Sequence, residues 1–406
     1  MFNRVGLGTL IFAATLAAGS LAHAQNQDLA SSNPDRSNSV LELRKEIDQL
    51  KRKIAETDEK AEAAIEELES KGQGTTFSSD SSWADNTQLG GYGELHYNAG
   101  ERDQIDFHRF VLFINHQFSD RLRFFSELEV EHSFAADGAP GAVELEQAYI
   151  EFDLDENNRL FGGVFLIPVG ILNEVHEPDT FFGVERNPVE NAIIPTTWWE
   201  GGLGARGELG DGSGFFYDLA FHSGLMVDTD TFTPRSGRQR VAEAVAEDAA
   251  VTGRLRWKGL SGIDLGFTAQ YQNDLAQGEA SDKSDALLLN GNLNFRRGIF
   301  GIRALYAYWD INGDDAAALG ADEQFGWYVE PSLRFETGLG DLGVFARYNA
   351  FDNSANSEED SENEQVDVGL NFWPHERVVL KADVAFIDSA TGEDDNRLNL
   401  GIGYQF

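Results

Sequence analysis

The chain has 406 residues and 0 Cys. That excludes a disulfide framework, a cysteine-ligated zinc site and a thiol nucleophile. Basic residues are scarce, 31 Lys and Arg against 69 Asp and Glu, for a formal net charge of -38. A surface of that sign excludes a phosphate-backbone partner, so no nucleic acid is expected. After the first 24 residues no apolar run approaches the roughly 20 residues that a membrane-spanning helix needs. The 8 His are scattered without a nucleophile–base–acid spacing, and no glycine-rich phosphate loop precedes a helix. No enzyme activity, cofactor or metal is expected.

What is present is glycine (42), phenylalanine (29) and alternation. The opening stretch "MFNRVGLGTLIFAATLAAGSLAHAQ" has Arg4, an apolar run from Val5 to about Leu21 and small residues before Gln25. It reads as a secretory signal peptide, residues 1–24, cleaved after Ala24. Residues 25–39 read as a flexible leader. From Val40 a heptad begins, with Val40, Ile47, Ile54, Ala61 and Leu68 at one seam position. Leu43, Leu50, Thr57 and Ala64 occupy the other, and charges lie between. Residues 40–71 are therefore expected to form a coiled coil, roughly 45 Å long at about 1.5 Å per residue. Ile and Leu at these positions lean toward two strands, and Thr57 with the alanines weakens that lean. Residues 72–86, rich in Gly and Ser, read as a linker.

From residue 87 onward the period is two. In "DRLRFFSELEVEHSF", Leu122, Phe124, Leu128, Val130 and Phe134 share one face, and Arg123, Glu127, Glu129 and Glu131 the other. "RLNLGIGYQF" does the same up to Phe406. Sixteen such segments are expected, near 87–97, 105–118, 122–134, 143–154, 158–167, 198–209, 214–224, 249–258, 262–273, 285–296, 299–310, 323–336, 341–352, 364–374, 376–388 and 396–406. Their connections are alternately short and long. Many end their apolar face on an aromatic: Phe118, Trp257, Tyr271, Phe325, Phe335, Phe372, Phe386 and Phe406. A soluble sandwich needs no such belt. Residues 87–406 are expected to form an all-β, 16-stranded antiparallel transmembrane barrel in the bacterial outer membrane. Lipid forbids an open edge, so the last strand must pair with the first.

Taking the apolar face as outward, the inward basic residues are Arg109, Arg123, Arg206, Arg254, Arg256, Arg296, Arg303, Arg334, Arg347, Lys381 and Arg397. Inward acids are similar in number, with Glu127, Glu129 and Glu131 forming a ladder on one strand. Two readings of these walls stay open: a field across a pore, or pairing between neighbouring strands. A turn at Ser119–Arg121 pairs positions that sum to 240. It sets Arg109 opposite Glu131, and His108 opposite His132 on the outward face as two rim histidines.

The segment 168–197, "PVGILNEVHEPDTFFGVERNPVENAIIPTT", is too long and apolar for a surface loop, and its four prolines forbid a strand or a long helix. It is expected to fold inward and narrow the pore, with Arg186 toward the arginine-rich wall or the solute. Capping the barrel or gripping a neighbouring subunit is the alternative.

The stretches "RLFGGVFLIPVGILNEVHEPDTFFGVERNPVE" and "IIPTTWWEGGLGARGEL" resemble the phosphate-selective porin O and P family, with the likeness best from about Phe107 to Leu209. The terminal "IGYQF" is similar to the aromatic-ended signal that the barrel-assembly machinery recognises, which gives Tyr404 and Phe406 that role. A coiled coil ahead of the barrel is similar to the dicarboxylate-type porins. These resemblances imply a homotrimeric channel in outer-membrane lipid for small anions of phosphate or carboxylate type. The family's anion selectivity rests on loop and wall lysines and arginines, and its anion-binding lysines find no residue-by-residue match here. A non-selective or cation-preferring general porin, and a structural tether to the cell wall through the coiled coil, remain the alternatives.

Overall fold

A period-two pattern places successive side chains on opposite faces, so one apolar and one polar face run the length of each strand. The computed structural model describes residues 83–406, apart from 101, 135–137, 139, 211, 391 and 393–395. The signal peptide, leader, coiled coil and most of the linker lie outside the described residues.

The strands are β1 (Thr87–Ala99), β2 (Gln104–Ser119), β3 (Leu122–Glu131), β4 (Val143–Asp153), β5 (Asn158–Leu166), β6 (Trp199–Glu208), β7 (Phe215–His222), β8 (Ala250–Trp257), β9 (Ile263–Gln272), β10 (Ala286–Arg297), β11 (Phe300–Ile311), β12 (Glu323–Thr337), β13 (Gly340–Asp352), β14 (Asn363–His375), β15 (Val378–Asp388) and β16 (Arg397–Gln405). Each pairs antiparallel with its chain neighbour, and β16 returns to β1 to close the ring. Closure extends one residue beyond β16. The Gly91 amide donates to the Phe406 carbonyl at 3.1 Å, the Phe406 amide to Gly91 at 2.9 Å. The Phe406 ring stacks on Phe110 with centroids 5.8 Å apart.

The barrel wall is apolar outside and, away from the apolar patch that meets the segment 167–198, polar inside. Leu398, Leu400, Ile402, Phe267 and Phe386 are exposed on outward positions. The aromatics Phe118, Tyr271, Phe335 and Phe406 are exposed there too, with Trp257, Phe325 and Phe372 half-buried. Inward positions carry buried Thr268, Gln270, Asn290, Asn349, Asn371 and Asn399. A soluble core would invert this.

Two bulges break the alternation where it matters. Glu94 pairs with Arg109 and His96 with Asp106, so β2 spends one residue more than β1 over the same rise. Likewise Glu127 pairs with Gln147 and Leu128 with Leu145, which leaves an extra residue in β4. A bulge turns two successive side chains toward one face.

Turns at the β1-start end are short, while the other end carries the segments 132–142, 167–198, 223–249, 273–285, 312–322 and 353–362. The hydrophobic core sits inside the barrel. Ile167, Val169, Val189, Ile193, Ile194 and Trp198 of the segment 167–198 pack with Leu288, Leu305, Trp309 and Tyr328 of the wall. That segment contains one helical turn, α1 (Val189–Ala192), and α2 (Asp314–Ala318) lies in a later loop. Glycines admit it to the wall. A Cβ at Gly403 would stand 2.4 Å from Pro178 Cβ, and one at Gly326 would stand 2.8 Å from Ile193 Cγ1.

Deleting Phe406 removes both hydrogen bonds to Gly91, at about 0.5–1.5 kcal/mol each, together with the ring stack. The expected outcome is a clear drop in the fraction that migrates as folded barrel on unheated gels after membrane extraction. An unchanged folded fraction would contradict this role for the residue.

Candidate functional site

A loop inside a barrel must find partners for its own backbone, because water no longer reaches all of it. Here five consecutive carbonyls do so on one wall. Asp179 O accepts from Trp373 Nε1 at 3.2 Å, Thr180 O from Arg303 at 2.6 Å and Phe181 O from Asn371 at 3.0 Å. Phe182 O accepts from Arg347 at 3.3 Å, and Gly183 O from Lys381 Nζ at 2.7 Å. The next amide, Val184 N, donates to Asp383 at 2.6 Å. The Lys381 ammonium also lies 3.5 Å over the Phe181 ring.

The loop is braced internally as well. The Glu190 carboxylate accepts from the Ile171 and Leu172 amides at 2.8 and 2.7 Å and from the Tyr328 hydroxyl at 2.8 Å. Burial outweighs those bonds and pushes the Glu190 pKa above the usual carboxylate range. At the loop's base, Asn173 donates to the Ile167 and Trp198 carbonyls and accepts from the Trp198 amide.

Between the loop and the walls of β1, β2 and β14–β16 lies a cavity of about 700 Å³. Glu94, His96, Asp106, His108, Arg109, Glu185, Arg186, Arg235, Asp367 and Asp383 line it. A second cavity of about 410 Å³ on the short-turn side carries Lys258, Arg296, Arg303 and Arg334. Opposed charges around a polar space of this kind can select small ions by sign.

Most inward bases are engaged with partners. Arg109 pairs with Glu94 at 2.7 Å and lies 3.7 Å from Glu129, although its register partner is Glu131. Arg123 contacts Glu151 and Asp153, and Arg206 lies 3.7 Å from Glu151. Arg254 is held by Asp218 and by Glu174 of the loop, and Arg256 by Asp264. Arg347 makes 3.0 Å ion pairs to Glu330 and Asp367. Arg303, Arg347 and Lys381 are thus loop anchors. Of the two wall readings left open, these contacts favour pairing over an unscreened transverse field.

One placement differs from expectation. His108 is not on the outward face: the β2 bulge turns it inward, where it stacks on His96 with centroids 4.7 Å apart. Asp106 accepts from His132 at 2.8 Å and lies 3.2 Å from His108. Arg186, expected to face the arginine-rich wall or the solute, lines the cavity of about 700 Å³ together with Arg347. It donates to Thr197 Oγ1 at 2.8 Å, and burial together with nearby Arg109 holds its pKa down.

Sequence reasoning missed Arg235, Arg238 and Arg240. Arg235 and Arg238 donate to the Thr196 and Thr197 carbonyls at 2.8 and 2.6 Å, beside Arg186, and Arg240 contacts Glu144. The signal was there: "PRSGRQR" gathers three arginines in seven residues of a strongly acidic chain. Glu146 and His176 were missed because a bulge and an irregular loop carry no period.

Glu185 gives the loop a pH-sensitive contact. Burial opposes its charge, but hydrogen bonding with His96 at 3.0 Å and from Asn98 at 2.9 Å prevails, and its pKa falls to about 2. A lowered carboxyl pKa adds stability that is complete above the ordinary value of about 4.5 and is lost as pH falls through about 2. The unfolding temperature of wild type should therefore exceed that of Glu185→Gln at pH 6 and converge with it below pH 2. A gap that does not change across that range would contradict the assignment.

No protein-family model matches the chain. The resemblance to the phosphate-selective porin O and P family therefore narrows to the architecture shared with porins of known structure. Among these are OmpF of Salmonella typhi in complex with daunomycin (TM-score 0.53, 14% identity, 79% of this chain and 98% of that one) and the outer membrane channel DcaP of Acinetobacter baumannii (TM-score 0.52, 13% identity, 79% and 97%). An anion-selective porin from Comamonas acidovorans has a TM-score of 0.52 at 12% identity, over 79% and 99%. At such identities the likeness is one of fold. Sequence similarity reaches further in one case. At 30% identity over 353 residues, covering 78% of this chain and 79% of its relative, the chain belongs to one family with an uncharacterized protein of Aquifex aeolicus (strain VF5).

Proposed function

We propose that the chain is an outer-membrane porin through which small hydrophilic solutes, chiefly anions of phosphate or carboxylate type, diffuse passively. The observation that carries this reading is the loop 167–198 seated inside a closed barrel, with a charged cavity of about 700 Å³ beside it. Preference for anions rests on Arg186 and Arg235, which line that cavity and come from loops. Both are bonded to uncharged loop oxygens, Thr197 Oγ1 and the Thr196 carbonyl, whereas Arg109, Arg254 and Arg347 of the wall are paired with carboxylates. A cation-preferring channel is the second reading, favoured by Glu94, Asp106, Glu185, Asp367 and Asp383 around the same cavity.

The reading extends to the rest of the chain. The 1–24 signal sends it across the inner membrane, Tyr404 and Phe406 address it to the assembly machinery, and three copies assemble. The coiled coil at 40–71 then stands in the periplasm, toward the cell wall.

Reversal potentials in a planar bilayer across a KCl gradient test the proposal. Wild type should reverse on the anion side, and Arg186→Glu and Arg235→Glu should each move the potential toward cations. Lys381→Met should leave the sign of selectivity unchanged and instead expose the loop to protease. A wild-type channel selective for cations would favour the second reading, and a folded barrel that conducts nothing would overturn both.

A further inference from the structure

At the foot of the loop, against the wall opposite the five carbonyls, three buried side chains meet, with polar atoms that lack hydrogen-bond partners. His176 Nε2 lies 3.6 Å from Glu127 Oε1 and 3.5 Å from Glu146 Oε2. All three residues are at most 3% exposed. The other ring nitrogen, Nδ1, is 3.3 Å from the Asn173 carbonyl. A carbonyl only accepts, so Nδ1 carries a proton, and Nε2 faces the two carboxylates either as a lone pair or as a second N–H. Gln147 Nε2 satisfies Glu127 Oε2 at 2.6 Å, which leaves Oε1 toward the histidine.

His176 Nε2, Glu146 Oε2 and both carboxylate oxygens of neighbouring Glu129 have no hydrogen-bond partner. Buried acceptors facing one another cost free energy unless a cation or a proton stands between them.

We propose that Glu127, Glu146 and His176 form a site for a divalent transition-metal ion that fastens the loop to β3 and β4. The spacing fits. Ligands at about 2.0–2.1 Å from a tetrahedral ion stand roughly 3.3–3.4 Å apart, and all three ligand atoms here lie within 4.8 Å of one another. The hydrogen-bonded Nδ1 is the outer contact that usually orients a metal-bound imidazole. One imidazole with two carboxylates suits Zn²⁺ or Mn²⁺ better than Ca²⁺ or Mg²⁺, which take oxygen ligands. The β4 bulge supplies the geometry, because it turns Glu146 inward next to Gln147. The competing occupant is a proton on Nε2, whose imidazolium would meet the same carboxylates.

The test uses the purified full-length barrel, stripped with chelator and then titrated with Zn²⁺ alone. Metal content and unfolding temperature are read together. Zn²⁺ should bind and raise the unfolding temperature, chelator should reverse the rise, and an equal concentration of Ca²⁺ should not reproduce it. Glu146→Gln should weaken Zn²⁺ affinity by about 100-fold or more, with the barrel still folded on unheated gels. His176→Gln should do the same and guards against a folding defect in the first variant. Asp106, His108 and His132 also bring ligand atoms within 4.8 Å of one another, so Asp106→Asn serves as the control and should keep the rise. If Asp106→Asn abolishes the rise and Glu146→Gln does not, the ion sits at the rim and the proposal fails. It fails equally if Zn²⁺ neither binds nor shifts unfolding, which assigns Nε2 a proton.

Discussion

Five backbone carbonyls in a row, from Asp179 to Gly183, are each met by a donor projecting inward from β11, β13, β14 or β15. An irregular segment of turns and bends inside a barrel has no strand or helix of its own to absorb those groups. Left unpaired, each would cost on the order of 1–3 kcal/mol. The inner wall therefore has to be written for the loop. Trp373, Arg303, Asn371, Arg347 and Lys381 are that writing, and Gly401 and Gly403 clear the space it needs. The interior of the protein depends on this seam, because the loop in turn supplies the apolar core and one side of the charged cavity.

The same constraint reorders the electrostatics. A net charge of -38 would suggest a channel that repels anions, yet in the proposed channel an ion would meet only the groups around the cavity. Arg347 stands between Glu330 and Asp367, and Arg254 between Asp218 and Glu174. Such buried clusters are scaffolding: removing one partner strands the others, and one guanidinium between two carboxylates leaves no spare positive charge for an anion in the proposed channel. The loops add Arg186, Arg235 and Glu185 to the lining of the cavity, where in the proposed channel they would act on a solute. Loop residues held by rigid walls are the usual place for function.

The fold was legible because a barrel repeats one rule sixteen times. Every expected segment corresponds to a strand with ends within three residues, and the 240 register rule holds from Arg109↔Glu131 to Phe113↔Glu127. The site was legible only in part. Alternation assigns a face to Lys381 or Arg347 but not a partner, and the partners turned out to be carbonyls of a loop some 165 to 198 residues earlier in the chain. Bulges defeat alternation altogether, which is why His108 was assigned to the wrong face and Glu146 went unnoticed. Arg235 and Arg238 lie in an irregular segment that has no period to read, and only their density in an acidic chain marks them.

The seating of the loop on the closing strand is the claim from which the rest follows, and a chain with 0 Cys allows a clean test of it. A Cβ at position 401 would stand 3.1 Å from Val184 Cγ1, within reach of a disulfide whose Cβ atoms are about 3.5–4.5 Å apart. In the Val184→Cys, Gly401→Cys double variant, mild oxidation should form the bond nearly completely. The locked channel should then conduct as the reduced one does. Two free thiols in a folded barrel, or a conductance that changes when the bond closes, would show that the loop does not rest against β16 in the conducting protein.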